Sequence, residues 1–150
     1  MEVERLRAFL RRHGRVALDT SVFIYQLEAY PKYLPLTVEV FSWLMRPTSA
    51  GTTSTITMAE LLVQPYRQAD EKRVGEFYGL LTTYPNLEWV APTLPIADLA
   101  AKIRAKHRLR TPDAIQAGTA VALGVSGFIG NDSVFERVTE FETLLLDRLL

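Results

Sequence analysis

Apolar positions along this chain follow two patterns, one typical of helices and the other typical of short buried strands. Helical character is found in the stretches 1–14, 21–30, 34–45, 58–68, 69–84, 96–108, 112–124 and 133–138. Short apolar runs that predict strands occupy 15–19, 53–56, 86–92, 126–132 and 142–147. The chain therefore alternates between strands and helices, with some helices following each other directly.

Glycine, proline and β-branched residues set the predicted boundaries. Gly14 is predicted to end the N-terminal helix, and we interpret residues 1–14 as a helical extension. Pro65 is predicted to interrupt the helix over 58–68 because proline lacks the N–H that a helix interior needs. The stretch 48–57 is predicted as a loop that leads into a strand, since its second half is rich in β-branched residues.

The alternation of strands and helices predicts an α/β fold with a parallel sheet covered on both faces. No internal repeat or linker interrupts the sequence, so residues 1–150 are predicted to form one domain. In such folds a ligand site lies outside the carboxyl ends of the strands, near a switch in strand order.

Composition excludes several classes of site. Seventeen basic residues balance seventeen acidic ones, so no overall charge attracts nucleic acid or a membrane. The absence of cysteine excludes disulfides and thiol catalysis, and two histidines argue against a histidine-based metal site. The charged N-terminus is unlike a secretory signal, and no apolar run reaches the ~20 residues of a membrane span. A cytoplasmic location is the resulting expectation.

Four carboxylates are predicted at strand ends or helix starts: Asp19, Glu60, Asp113 and Asp132. Each has a purely structural explanation. In the stretch "TPD", Thr111 suits a helix cap, Pro112 suits the first helical position, and the helix dipole favours a negative charge in the first turn.

The other three acids have similar structural explanations. Asp19 is placed to cap the helix that follows it. Thr57 and Glu60 have the spacing of a capping box, and a second box beginning at Ser133 leaves Asp132 just before the cap.

Taken together, the four acids favour a different explanation. Carboxylates that converge on one sheet edge repel each other and raise one another's pKa, unless a cation occupies the site. Oxygen ligands without histidine or cysteine point to Mg²⁺ or Mn²⁺. Such a site suits phosphoryl chemistry. That the four carboxylates converge is inferred from the strand order that we expect.

Four motifs carry a resemblance to a known family: "VALDTSVFI" (16–24), "TITMAELL" (55–62), "LRTPDAIQAGTA" (109–120) and "GFIGNDSVF" (127–135). In this order and spacing they resemble the PIN domains, and most closely the VapC toxin ribonucleases of toxin–antitoxin pairs. The resemblance implies a three-layer α/β/α fold around a central, mainly parallel sheet. It also implies a metal-dependent endoribonuclease that leaves a 5′-phosphate, with a separate antitoxin as protein partner.

The resemblance also implies roles for site residues. Asp19, Asp113 and Asp132 would hold one Mg²⁺, directly or through water, and Glu60 would hold a second ion or orient the attacking water. Two ions ~3.5–4 Å apart would contact the attacking and leaving oxygens of an in-line displacement. Two neighbouring side chains, Ser21 and Asn131, would support these acids from behind.

A basic run, "KIRAKHRLR" (102–110), precedes Asp113. Its residues are predicted either to form a solvated helix end or to contact an RNA backbone, with Arg104, Arg108 and Arg110 as the candidates. A role for His107 as general acid is less favoured, since a metal mechanism does not require one. Exposed residues of 23–30 or 40–45 are candidates for a homodimer or antitoxin surface, and the sequence shows no aromatic platform for bases.

Two other functions remain open at this stage. One is a phosphate hydrolase or receiver domain with Asp19 as nucleophile, but "DTS" lacks the second aspartate that the haloacid-dehalogenase type needs. The other is a non-catalytic PIN-like module that binds RNA or protein, against which the complete acid set argues.

Overall fold

The computed structural model describes residues 2–150 and contains one sheet of five parallel strands. The strands are β1 (Arg15–Leu18), β2 (Ala50–Ser54), β3 (Leu87–Val90), β4 (Gly127–Gly130) and β5 (Glu142–Leu145). Their spatial order is β3-β2-β1-β4-β5.

Eight α-helices and two short 3₁₀ helices surround the sheet within residues 2–150. The α-helices are α1 (Glu2–His13), α2 (Thr20–Leu27), α3 (Leu34–Leu44), α4 (Ile56–Leu61), α5 (Val63–Arg67), α6 (Glu71–Thr83), α7 (Leu94–His107) and α8 (Thr111–Ala122). The 3₁₀ helices are Ser133–Arg137 and Leu146–Leu149. None of the helices in this described part of the chain is both long and apolar enough to cross a membrane.

Apolar side chains fill the space on both faces of the sheet. β1 contributes Val16 and Leu18 to a core shared with α1, α2 and α3, while Ala17 joins a second core with α7 and α8. Successive residues of a strand point to opposite faces, so one short strand serves both cores. The predicted three-layer α/β/α fold is confirmed.

The order in which strands are added to the sheet changes direction at β1. It adds β2 and then β3 on one side, and afterwards crosses to the other side for β4 and β5. The carboxyl ends of β1 and β4 therefore form the switch point at which α/β proteins bind ligands. Leu18 pairs with Ile129, and the backbone N–H of Asp19 donates to the Ile129 carbonyl at 2.9 Å.

The N-terminal helix is part of the core. Leu6, Phe9 and Leu10 of α1 are buried in the cluster that also contains residues of α3. His13, at the end of α1, contacts Ser126 Oγ at 2.8 Å and Glu142 Oε1 at 2.6 Å. These contacts hold α1 at the amino ends of β4 and β5, away from the switch point.

Two predicted boundaries were wrong. The helix over 58–68 breaks at Leu62 instead of Pro65, because Pro65 lies in the first turn of α5, where no intrahelical acceptor awaits its nitrogen. β2 begins at Ala50, inside the predicted loop. A Cβ at Gly51 would lie 2.6 Å from Leu44 Cδ2, so glycine fits here while the Leu44 side chain stays where it is, and a glycine gives no strand signal in the sequence. The elements α2, β3, β4 and β5 are shorter than predicted, and β2 ends at Ser54, before the predicted end at Ile56.

Close packing of α7 against α8 fixes the helix that carries Asp113. A Cβ at Gly118 would lie 3.2 Å from the Ala100 nitrogen and 3.2 Å from the Ile96 carbonyl oxygen. Both neighbours are backbone atoms of α7, which cannot move aside as a flexible side chain would.

We expect Gly118→Ala to lower the free energy of unfolding, because the added methyl group must push α7 away. Gly75→Ala is the matched control, since a Cβ there meets nothing within 4 Å. The control should raise the free energy of unfolding by about 0.5–1 kcal/mol, the usual gain when alanine replaces a helical glycine. Urea unfolding followed by circular dichroism measures both, and equal stabilisation by the two substitutions would contradict the packing argument.

Candidate functional site

A cavity of about 250 Å³ opens at the switch point. Its lining residues are Asp19, Thr20, Ser21, Ile24, Tyr25, Glu60, Arg110, Asp113, Asn131 and Asp132. All four carboxylates expected from the sequence line this one space. The predicted supporting residues Ser21 and Asn131 line it as well, together with one of the three predicted arginines.

Asp19 enters the cavity because β1 ends at Leu18. Its backbone occupies the N-cap position of α2, but its side chain makes no capping hydrogen bond. The predicted capping role is therefore wrong, and the carboxylate instead accepts a bond from Ser21 Oγ at 3.1 Å. β4 passes close by, since a Cβ at Gly130 would lie 3.2 Å from the Asp19 Cβ.

Asp113 lies in the first turn of α8, as predicted. Arg110 occupies the N-cap position, so the expected cap at Thr111 is wrong; Thr111 is already the first helical residue. Arg110 Nε donates to Asp113 Oδ2 at 3.2 Å, with the arginine side chain 77% exposed and the aspartate side chain 13% exposed. The largely buried carboxylate of Asp113 therefore faces the site, while the guanidinium of Arg110 faces solvent.

Glu60 is held by a residue from another helix. Its Oε1 accepts a hydrogen bond from Thr20 Oγ1 at 2.8 Å. The predicted capping box is wrong because Thr57 lies inside α4 and its hydroxyl group is fully buried.

Asp132 is itself a cap. Its Oδ1 accepts from the backbone N–H of Val134 at 3.0 Å, at the start of the 3₁₀ helix Ser133–Arg137. The predicted cap at Ser133 is thus displaced by one residue. The other carboxylate oxygen of Asp132 takes no part in this bond.

Burial raises the pKa of the Asp19 carboxyl to about 6. This pKa is the net result of opposing causes: the Thr20 backbone N–H and the Ser21 hydroxyl group lower it, while the nearby charge of Asp113 raises it. Asp19 thus carries the cost of removing a carboxylate from water next to a second carboxylate.

The residues of the cavity fit a hard divalent cation by their chemistry. Every candidate ligand is a carboxylate, and the chain supplies no cysteine here. Within residues 2–150, no three acidic or histidine side chains lie close enough to hold one ion together. In these positions a cation would be bound by fewer than three of the acids directly, with water as the remaining ligand.

Two of the three predicted RNA-contacting arginines lie outside the acidic cavity. Arg104 and Arg108 line a separate cavity of about 490 Å³ at the end of α7. Arg104 Nε donates to the Leu109 carbonyl at 3.0 Å, and Arg108 has a left-handed backbone with φ of 59°. His107 is also absent from the residues that line the acidic cavity.

Thr20 and Tyr25 line the cavity but were not singled out from the sequence. Tyr25 follows Ser21 by four residues, so the two share one face of α2, which was the available signal. The Tyr25 hydroxyl group accepts from Asn131 Nδ2 at 3.1 Å, and Asn131 Oδ1 accepts from the Asp147 backbone N–H at 2.8 Å. Asn131 therefore joins α2 to the 3₁₀ helix Leu146–Leu149 and makes no hydrogen bond to the four acids.

A comparison with known protein families finds one match, and it spans the residues that form the acidic cavity. The sequence matches the family model of the PIN domain over residues 16–140. This match includes all four acidic positions and begins after α1. Among curated proteins, none matches the sequence.

Several solved structures share the fold. A chain of DNA-bound VapBC from Salmonella typhimurium is 22% identical, with a TM-score of 0.70, and the alignment covers 88% of this chain and 98% of that one. A chain of VapBC-1 from nontypeable Haemophilus influenzae is 22% identical, with a TM-score of 0.67, and the alignment covers 89% of this chain and 98% of that one. A chain of VapBC2 from Rickettsia felis, bound to a DNA fragment from its promoter, is 15% identical, with a TM-score of 0.68. The alignment covers 87% of this chain and 98% of that one.

Without divalent cations, the stability of the protein should depend on pH through Asp19. A raised pKa means that the folded state binds the proton more tightly, so this group destabilises the protein as pH rises through about 6. As the pH rises from about 4 to about 8, the free energy of unfolding of Asp19→Asn should increase by roughly 3 kcal/mol relative to that of wild type.

Urea unfolding at several pH values, in the presence of a chelator, measures this difference. Asp98→Asn is the matched control, because Asp98 is exposed and pairs only with Lys102 at 3.3 Å within its own helix. A difference between Asp19→Asn and wild type that stays constant across this range would show that the carboxylate is not desolvated.

Proposed function

The chain belongs to the PIN domain family, and from this premise we propose that it is an Mg²⁺- or Mn²⁺-dependent endoribonuclease. The observation that carries the proposal is the convergence of four carboxylates from four separate segments in one cavity. Such a concentration of negative charge is costly in an empty site and is relieved when a cation binds. PIN domains in general use divalent metals, which agrees with candidate ligands that are all carboxylates.

Asp19, Asp113 and Asp132 are proposed to hold the cation, at most two of them directly and the remainder through water. When bound, a divalent ion would activate water and offset the charge of a phosphodiester. Ser21 fixes the Asp19 carboxylate through its hydroxyl group at 3.1 Å. Glu60, from α4, lines the same cavity and would hold a second ion or orient the attacking water. We propose that cleavage leaves a 5′-phosphate.

Arg110 is proposed to contact the RNA backbone. Its guanidinium lies at the rim of the cavity and is largely exposed, so it can turn from Asp113 to an incoming phosphate. Arg104 and Arg108 lie at the C-terminal end of α7, where they would contact more distant phosphates. RNA substrate binding would thus begin at the edge of the acidic site.

An antitoxin is proposed as the protein partner. The solved structures that share the fold come from VapBC complexes, and one further neighbour is a toxin–antitoxin complex from Klebsiella pneumoniae. Within the candidate segments 23–30 and 40–45, the large apolar side chains that are exposed are Tyr30 and Met45. We propose that they belong to a surface for a homodimer or for the antitoxin, and that the protein acts in the cytoplasm.

Asp113→Asn should abolish cation binding and RNA cleavage while the fold is kept. Asparagine keeps the shape of the side chain but removes the charge that attracts the cation. Calorimetry with Mg²⁺ and with Mn²⁺ measures binding, and incubation with total cellular RNA measures cleavage. Asp98→Asn is the control and should behave as wild type, because Asp98 lies on an exposed face of α7.

If Asp113→Asn binds the cation and cuts RNA as wild type does, Asp113 is only a helix-start acid and the proposed site is wrong. If wild type binds RNA but never cuts it, with or without the cation, the non-catalytic PIN-like module is the correct description.

Arg110→Ala should bind Mg²⁺ more tightly and RNA less tightly than wild type. Arg110 neutralises Asp113 in the absence of a cation, so its removal frees the carboxylate. Because the pair is mostly exposed, the gain in Mg²⁺ affinity should not exceed about fivefold. Calorimetry and RNA binding in calcium buffer measure the two effects. Arg104→Ala, which leaves Asp113 untouched, should not change Mg²⁺ affinity.

A further inference from the structure

Four polar side chains are buried together behind the acidic cavity. Thr20, Thr53, Thr57 and Gln116 are 6%, 2%, 0% and 3% exposed, respectively. They come from α2, β2, α4 and α8, so the cluster lies where these elements meet. Burying polar groups is unfavourable unless each finds a hydrogen-bond partner, and apolar residues would fill this space without that requirement.

Gln116 has one possible orientation in the cluster. Its Oε1 accepts from the backbone N–H of Ser54 at 3.4 Å, so its NH₂ group faces the threonines. The Nε2 atom lies 2.7 Å from Thr57 Oγ1 and 3.4 Å from Thr20 Oγ1. An amide NH₂ group has two protons and no acceptor, so both hydroxyl groups receive a bond from it.

The direction of the remaining bonds follows from the acceptors at their ends. Thr53 Oγ1 donates its only proton to the Leu18 carbonyl at 2.9 Å. The 2.8 Å contact between Thr53 and Thr57 is therefore donated by Thr57. Thr57 then has no proton for Thr20, 3.2 Å away, and the proton of Thr20 is available for another acceptor.

That acceptor is Glu60, whose Oε1 lies 2.8 Å from Thr20 Oγ1. The cluster thus holds two series of bonds that both begin at the Gln116 amide. One ends at the carbonyl of Leu18, the residue before Asp19, and the other ends at the Glu60 carboxylate. Hydrogen bonds to a charged acceptor are stronger than those between neutral groups.

We propose that Thr20 is a positioning residue for Glu60, and that Gln116 fixes the direction of the Thr20 hydroxyl bond. The inference rests on the proposed function, in which Glu60 takes part in the reaction. One carboxylate oxygen of Glu60 is held by Thr20, which leaves the other free to face the cavity. The exposed side chain of Glu60 is thereby restricted to one position. Thr20 itself does not contact the substrate.

The experiment compares Thr20→Val with Thr20→Ser. Valine has the shape of threonine but cannot donate, whereas serine keeps the hydroxyl group. We expect Thr20→Val to lower kcat by about 10–100-fold, the usual effect of removing a partner of a metal-site residue, with little change in KM. Thr20→Ser should recover most of the lost activity. Thr119→Val is the control, because Thr119 is equally buried in α8 and bonds only to the Ile115 carbonyl at 2.7 Å.

A second readout is independent of cleavage and of metal. NMR relaxation of the Glu60 side chain in the cation-free protein should show a high order parameter in wild type and Thr20→Ser. The value should fall in Thr20→Val and stay high in Thr119→Val. If Thr20→Val does not fold, Thr20→Ala takes its place, since alanine also lacks the donor but puts no methyl group against Gln116.

The two proposals fail in different ways. If wild type cuts no RNA, the proposed function fails, and the order of the Glu60 side chain alone decides whether Thr20 positions it. If Thr20→Val matches Thr119→Val in both kcat and Glu60 order, Thr20 is only a structural residue. In a Glu60→Gln background, Thr20→Val should cost no further activity, because both changes remove the same contribution.

Discussion

The parallel pairing of β1 with β4 is the contact on which the rest of the site depends. These two strands are far apart in sequence, and their carboxyl ends meet only because the chain crosses back over the sheet after β3. The bond from the Asp19 N–H to the Ile129 carbonyl continues the pairing one residue past β1. It brings Asp19 beside the segment that carries Asn131 and Asp132, and it leaves α4 and α8 to supply Glu60 and Asp113.

Helix starts and strand ends explain why the acids have both structural and chemical uses. Asp132 caps a 3₁₀ helix with one oxygen and still lines the cavity. Asp19 has the backbone of a cap, yet its side chain makes no capping hydrogen bond and accepts one from the Ser21 hydroxyl group. A capping motif therefore does not exclude a functional carboxylate, and the fold decides in each case which neighbour the side chain meets.

The site is electrostatically unfavourable by itself, and the surrounding chain reduces this cost at separate points. Arg110 lies against Asp113, and the Ser21 hydroxyl group lowers the pKa that burial raises at Asp19. Behind the acids, the buried amide of Gln116 leads through Thr20 to Glu60. The same helix, α8, thus supplies one acid directly and supports a second acid through hydrogen bonds.

The sequence by itself determined the alternation of elements, the parallel sheet and the four acidic positions, because these depend on local spacing and short motifs. Tertiary structure alone decided the start of β2 at Ala50, where pairing with β1 forms a strand whose first residues, Ala50 and Gly51, carry no β-branched signal. It also decided that Arg110 reaches the acids while Arg104 does not, although both belong to one basic run. The role of Thr20 was hidden for the same reason: a hydroxyl group acquires its partners through space, from segments that the sequence keeps apart.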